Sequence, residues 1–157
     1  MIATGSIAWR RARALAAVLA FVAAGGCAHF VVLHDALTAD EHNDLGVVYQ
    51  SRGQTALAEK EFKRSLRIAP RSSRARVNLG GVQAATGNWR GAERSFRRAL
   101  RDSSTDADAM NDLAVALLHQ HRRLDEARAL AERAVASGGG RDSVYRATLA
   151  EVSGAMR

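Results

Sequence analysis

Cysteine is almost missing from this chain of 157 residues: Cys27 stands alone. No disulfide can form within the chain, and no thiolate pair is available for zinc. Proline is as scarce, with Pro70 the only one, which excludes collagen-like and proline-rich extended chains. Aromatic residues make up 5%, too few for a base-stacking platform, while a hydrophobic fraction of 47% excludes a chain too polar to build a core. What is plentiful is alanine, among 25% charged residues, a composition that favours helices. The length suits one domain with a core and not two.

Acidic residues are also absent from residues 1–13, which carry Arg10, Arg11 and Arg13. An apolar run follows from Ala14 to Ala24, and Gly25-Gly26-Cys27 closes it. A basic start and an apolar stretch of this length have the layout of a secretory signal. Ending in small residues and a cysteine, the segment resembles a bacterial lipoprotein signal, with Ala24 where that family most often has Leu. The resemblance implies cleavage after residue 26, fatty acylation at Cys27 and a tether over residues 27–38. Ala28 in place of Asp points to the outer membrane. Removing residues 1–26 takes three of the 23 basic residues and none of the 16 acidic ones, so the net charge falls from +7 to an ordinary +4. A second reading stays open: Ala14 to Leu33 holds no Asp, Glu, Lys or Arg and has the length of a membrane-spanning anchor, helped by Phe30-Val31-Val32-Leu33. Either reading tethers the rest of the chain to a membrane.

Displacing the sequence by 34 residues brings Leu45-Gly46 onto Leu79-Gly80, Gly53 onto Gly87, Ala58 onto Ala92, Phe62 onto Phe96 and Leu66 onto Leu100. A third copy opens in phase at Leu113-Ala114 and needs one extra residue near His119–Arg123, after which Ala127 matches Ala92 and Ala134 matches Ala99. Each unit reads as two helices. Thr38 and Glu41 form a capping box, Gly53 ends the first helix, and Pro70 lies where the second is finished. Trp89, Ala92, Phe96, Ala99 and Leu100 recur at helical spacing as one apolar stripe. Gly46, Gly80 and Ala114 leave holes that bulky neighbours fill.

Leu-Gly followed by Tyr49, Gly53, Ala58, Phe62 and Pro70 at these intervals resembles the tetratricopeptide repeat. The resemblance implies an all-α helix-turn-helix solenoid, with repeats over 39–72, 73–106 and 107–140. Residues 141–157 then supply a C-terminal capping helix over Ser143–Val152, with Tyr145 and Leu149 facing inward. The third copy departs from the pattern, with Ala131 in place of phenylalanine and a Gly138-Gly139-Gly140 run in place of proline. A single unit cannot bury its apolar face, so three units and a cap are near the minimum that folds.

A catalytic constellation is not found. His119 and His121 lie two apart near a turn, with no cysteine partner and no His-Glu helical motif to make a metal site. Asp125 and Glu126 open a helix, where carboxylates suit the dipole. The glycine run lacks the Lys-Ser/Thr ending of a phosphate loop. No enzyme activity, cofactor or metal is therefore expected. Arg90, Arg94, Arg97, Arg98 and Arg101 make one helix strongly basic, yet no aromatics interleave with them, so nucleic acid is not expected as a partner. An acidic protein or an anionic lipid headgroup suits that patch better.

The family resemblance implies a concave wall built from the first helix of each unit, holding an extended peptide or a partner helix. Its exposed positions are expected to include Asn43, Val47 and Gln50, then Arg74 and Asn78, then Asn111 and Val115. Asn78 has an alternative role as a hydrogen-bonding surface residue within its own repeat. One subclass of such grooves clamps a C-terminal carboxylate with Lys and Asn; no first helix here carries Lys, so that clamp is not expected. The reading that results is a non-catalytic adaptor, tethered in a bacterial envelope and facing the periplasm. Its alternatives are a signal-anchored subunit of a larger inner-membrane complex and an accessory to an envelope peptidase or secretion system.

Overall fold

The computed structural model describes residues 37–138 and 140–157. Cys27, the candidate signal and the alternative anchor lie outside the described residues. Among those that are described, seven helices follow one another: α1 (Ala39–Ser51), α2 (Thr55–Ile68), α3 (Ser73–Ala85), α4 (Trp89–Asp102), α5 (Ala107–His119), α6 (Leu124–Ser137) and α7 (Asp142–Ala155). Three helical hairpins and a terminal helix are the expected all-α solenoid. The last helix begins one residue earlier and ends three later than its sequence pattern suggested. None of the described helices is long and apolar enough to cross a membrane.

The helix starts are written locally. The Thr38 hydroxyl accepts from the Glu41 amide while Glu41 accepts from the Thr38 amide at 2.7 Å, the expected box. These hydrogen bonds from Thr38 hold the Glu41 carboxyl below its ordinary pKa. Ser72, Asn88 and Asp106 cap α3, α4 and α5 by accepting from the amides of Ala75, Gly91 and Ala109.

The turns inside the three hairpins share one device. Gly53, Gly87 and His121, spaced by 34, all have positive φ, at 71°, 75° and 49°. In each, the next amide reaches back to close the first helix: Gln54 to the Tyr49 carbonyl, Asn88 to Gln83 and Arg122 to Leu117. The inserted residue of the third unit follows that shared closure. It is Arg123, whose φ of 51° turns the chain into α6. His121 and Arg123 each carry a left-handed backbone that costs a side-chain residue about 1 kcal/mol.

Packing follows the large-to-small complement. The rings of Phe62 and Phe96 are buried directly over Gly46 and Gly80, so close that a Cβ on either glycine would sit 2.5 Å from a ring carbon. In the third unit both partners change together, to Ala114 and Ala131, each wholly buried. The C-terminal part of the core is the larger, joining Phe96, Leu113, Leu117 and Leu130 to Tyr145 and Val152 of the cap. Tyr145 is buried and Leu149 packs against this core, as their spacing implied.

Candidate binding groove

Each first helix packs on the first helix of the next unit, α1 on α3 and α3 on α5, and α7 continues the row against α5. The backbones of the second helices α2, α4 and α6 do not meet one another. A stack closer along one edge than the other bends, and the close edge is the inside. The groove is therefore the face of α1, α3 and α5.

Position by position, the expected wall divides into exposed and buried residues. Val47, at 42% exposure, and Gln50 face outward, Arg74 is exposed, and Asn78 and Val115 are half-buried. Asn43 and Asn111 correct the expectation of exposure: both are buried, at 1% and 2%. The reason is that their neighbours in the row of helices cover them. Asn78 donates its amide to Asn43 Oδ1 at 2.8 Å, so it ties α3 to α1 instead of serving its own repeat. Arg74 likewise reaches across to Asp44 at 2.5 Å. Asn111 donates to Asp112 at 3.2 Å, and its Oδ1 has no hydrogen-bond partner among the described residues.

Between exposed Val47 and half-buried Val115 lies a notch. Val47, Gly81 and Val115 are equivalent by the 34-residue spacing, and a Cβ on Gly81 would meet only Gln50 Nε2, at 3.9 Å. The inner surface thus presents two apolar side chains with a side-chain-free gap between them. The first helices carry Asp40, Glu41, Asp44, Asp108 and Asp112 against Arg74 and Arg76, and Arg76 turns away from this strip to Asp102 of α4 at 2.8 Å, which leaves the wall an acidic excess.

The far end of the groove rests on the cap. Asp108 accepts from the Tyr145 hydroxyl at 2.7 Å and from Arg141 at 2.6 Å. Burial first, and then the Asp108 carboxylate that needs its proton, push the Tyr145 hydroxyl up to about 12. Arg141 joins the row from just beyond the glycine run; it holds the N-cap place that Thr38, Ser72 and Asp106 hold in the repeats, and an arginine there is not part of their pattern. Half-buried Asp112 has its carboxyl raised above the ordinary range. Burial is the main cause, reinforced by the charges of Asp108 and Asp106 and opposed by Asn111 and Arg141.

A carboxyl held above its unfolded value destabilises the fold once it ionises. That cost is absent in acid below about pH 4 and grows as pH rises through the raised folded value. Asp112→Asn should therefore raise Tm at neutral pH, with the gain vanishing in acid, as followed by circular dichroism melts. A gain of equal size at both pH values would point to packing and not to charge.

His119 and His121 are exposed, as expected of turn histidines, and His119 stacks on Trp89 with ring centroids 3.9 Å apart. Buried His42 is what the sequence did not disclose: its Nδ1 lies 2.6 Å from Glu61 Oε2 within the first hairpin. Among the described residues, no three His, Cys, Asp or Glu come together as a metal site.

The family model described as "Tetratricopeptide repeat" matches residues 43–89 and 82–142. No curated protein sequence matches the chain. Solved structures do. The first such repeat domain of Spaghetti (RPAP3), bound to the HSP90 peptide SRMEEVD, superposes with a TM-score of 0.72 at 17% identity, over 80% of this chain and 98% of that one. The TPR2B domain of yeast Sti1, in a complex with pHsp70, gives 0.70 at 17% identity over 76% and 98%. The Sgt2 domain of Aspergillus fumigatus gives 0.70 at 18% identity over 75% and 78%.

Proposed function

Because this chain belongs to the tetratricopeptide repeat family, we propose that it is a non-catalytic adaptor that holds a segment of a partner protein against α1, α3 and α5. The observation that carries this reading is the Val47–Gly81–Val115 strip, an apolar track interrupted by a gap without a side chain. A partner's apolar side chain fills the gap beside Val47 and Val115. Two of the solved structures above were determined with Hsp-type partners. An acidic C-terminal peptide is not the occupant proposed for this groove, since α1, α3 and α5 carry no lysine and Arg74 is engaged by Asp44. The acidic excess of the wall favours a segment with Lys or Arg beside its apolar anchor.

The adaptor is further proposed to be a lipoprotein of a bacterial envelope, held by acyl chains on Cys27, facing the periplasm and placed in the outer membrane by Ala28. Multiple chains would anchor it stably, because each buried methylene contributes about 0.8 kcal/mol.

Two experiments test the two halves. Peptides selected from a random library on the full chain should bind the double variant Val47→Arg/Val115→Arg at least about tenfold more weakly. Selected peptides indifferent to that change would overturn the groove reading. Mass spectrometry of the amino terminus from bacterial membranes should find a chain that begins at acylated Cys27, and Cys27→Ala should remain unprocessed. A chain that starts at Met1 and stays in the membrane as Cys27→Ala would instead make Ala14–Leu33 the anchor.

A further inference from the structure

Behind α3, on the side away from the groove, a cleft of about 460 Å³ opens between α2 and α4. Its apolar floor is Leu66 and Leu79, and its banks carry Lys63 and Arg67 on α2 and Arg94 and Arg98 on α4. No carboxylate lines it. Lys63 pairs along its own helix with Glu59 at 2.7 Å, and among the described residues Arg67, Arg94 and Arg98 have no ion pair.

The next seam along the solenoid explains why this one is open. Between α4 and α6, Arg97 grips Glu126 with two hydrogen bonds of 2.6 and 2.9 Å and also bonds Glu93 at 3.0 Å. Arg97 is the repeat equivalent of Lys63, and Glu126, counting the inserted residue, is the equivalent of Gly91. At the α2–α4 seam the cation is therefore kept, while the acid that would close over it is replaced by a glycine. Two banks of like charge face each other across apolar side chains, an arrangement that repels itself until an anion enters.

We propose that this cleft is a second binding site, for an acidic amphipathic segment of a partner protein. Its carboxylates bridge the Arg67 and Arg94–Arg98 banks, and its apolar side chain covers Leu66 and Leu79. A bilayer surface fits less well, because the buried Leu79 lies between two helices, where a side chain can enter and a plane of headgroups cannot. With the groove on the opposite face, the chain would hold two partner segments of opposite charge at once.

The test uses the full chain and a short fluorescein-labelled peptide of alternating Glu and Leu, followed by fluorescence anisotropy. Arg94→Glu/Arg98→Glu replaces two exposed residues and should weaken binding about tenfold or more, since each exposed pair is lost and replaced by repulsion. Arg90→Glu/Arg122→Glu changes the net charge equally outside the cleft and should have far less effect. The groove variant Val47→Arg/Val115→Arg should bind the probe unchanged, which separates failure of this site from failure of the groove. Equal losses in both charge-reversed variants would reduce the effect to net charge and overturn the proposal. So would failure of the peptide to bind, or preferential binding, lost on Arg94→Glu/Arg98→Glu, of vesicles of phosphatidylcholine and phosphatidylglycerol in equal parts or of a single-stranded oligonucleotide.

Discussion

Phe96→Ala is expected to cost about 3–5 kcal/mol, the loss for deleting a fully buried aromatic ring. Gly80→Ala, the opposite change across the same contact, should cost about 1–3 kcal/mol because its methyl meets a ring that has no room to withdraw. The informative measurement is the double variant. With the ring gone, the new methyl has space and occupies part of the cavity, while the helix preference of alanine over glycine is shared with the single Gly80→Ala variant and cancels from the comparison. The pair then reproduces Ala114 and Ala131, which are both wholly buried in one core in the third unit. Gly80→Ala/Phe96→Ala should therefore be more stable than the sum of its parts by about 1 kcal/mol or more, read from urea denaturation. Strict additivity would mean that the glycine is there for some reason other than the ring.

That compensation also shows why so much of the fold could be read from sequence. The 34-residue spacing compares the chain with itself, so a change that preserves packing, such as glycine and phenylalanine exchanged for two alanines, stays in register and remains recognisable. The caps at Thr38 and Glu41, the positive-φ turns at Gly53 and Gly87, and the inserted residue at Arg123 are local features, and local chemistry is written locally. The groove was less legible. Helical spacing puts Asn43 and Asn111 on the inner face, but whether that face meets solvent depends on how tightly the next first helix closes over it. Asn78 covers Asn43 from 35 residues away, and no periodicity within α1 carries that information. The cationic cleft was visible only as a basic helix. Its cationic banks are left open because Gly91 stands where the third unit has Glu126, a relation between two helices that no pattern within either one carries.

The buried pair His42–Glu61 is the strongest case of a contact that propensity could not announce. His42 is wholly buried and Glu61 nearly so, and the same carboxylate takes a second hydrogen bond from Arg64 at 2.8 Å. Glu61→Ala removes the acceptor that both side chains use, and breaking one member of a buried pair is expected to cost about 3–5 kcal/mol. The repeat shows how the same two positions are managed without polar groups: in the third unit they are Met110 and Leu130, both in the core. His42→Met/Glu61→Leu should therefore recover most of the loss and stand within about 1 kcal/mol of the parent, since apolar pairs of similar volume often replace buried polar ones at little cost. Chemical denaturation of the parent and the two variants settles the matter. If Glu61→Ala costs less than about 0.5 kcal/mol, as a change at an unconstrained surface position would, the pair does not hold the first hairpin together. If the double variant is as damaged as the single one, the first unit depends on polar contacts that its third copy has dispensed with.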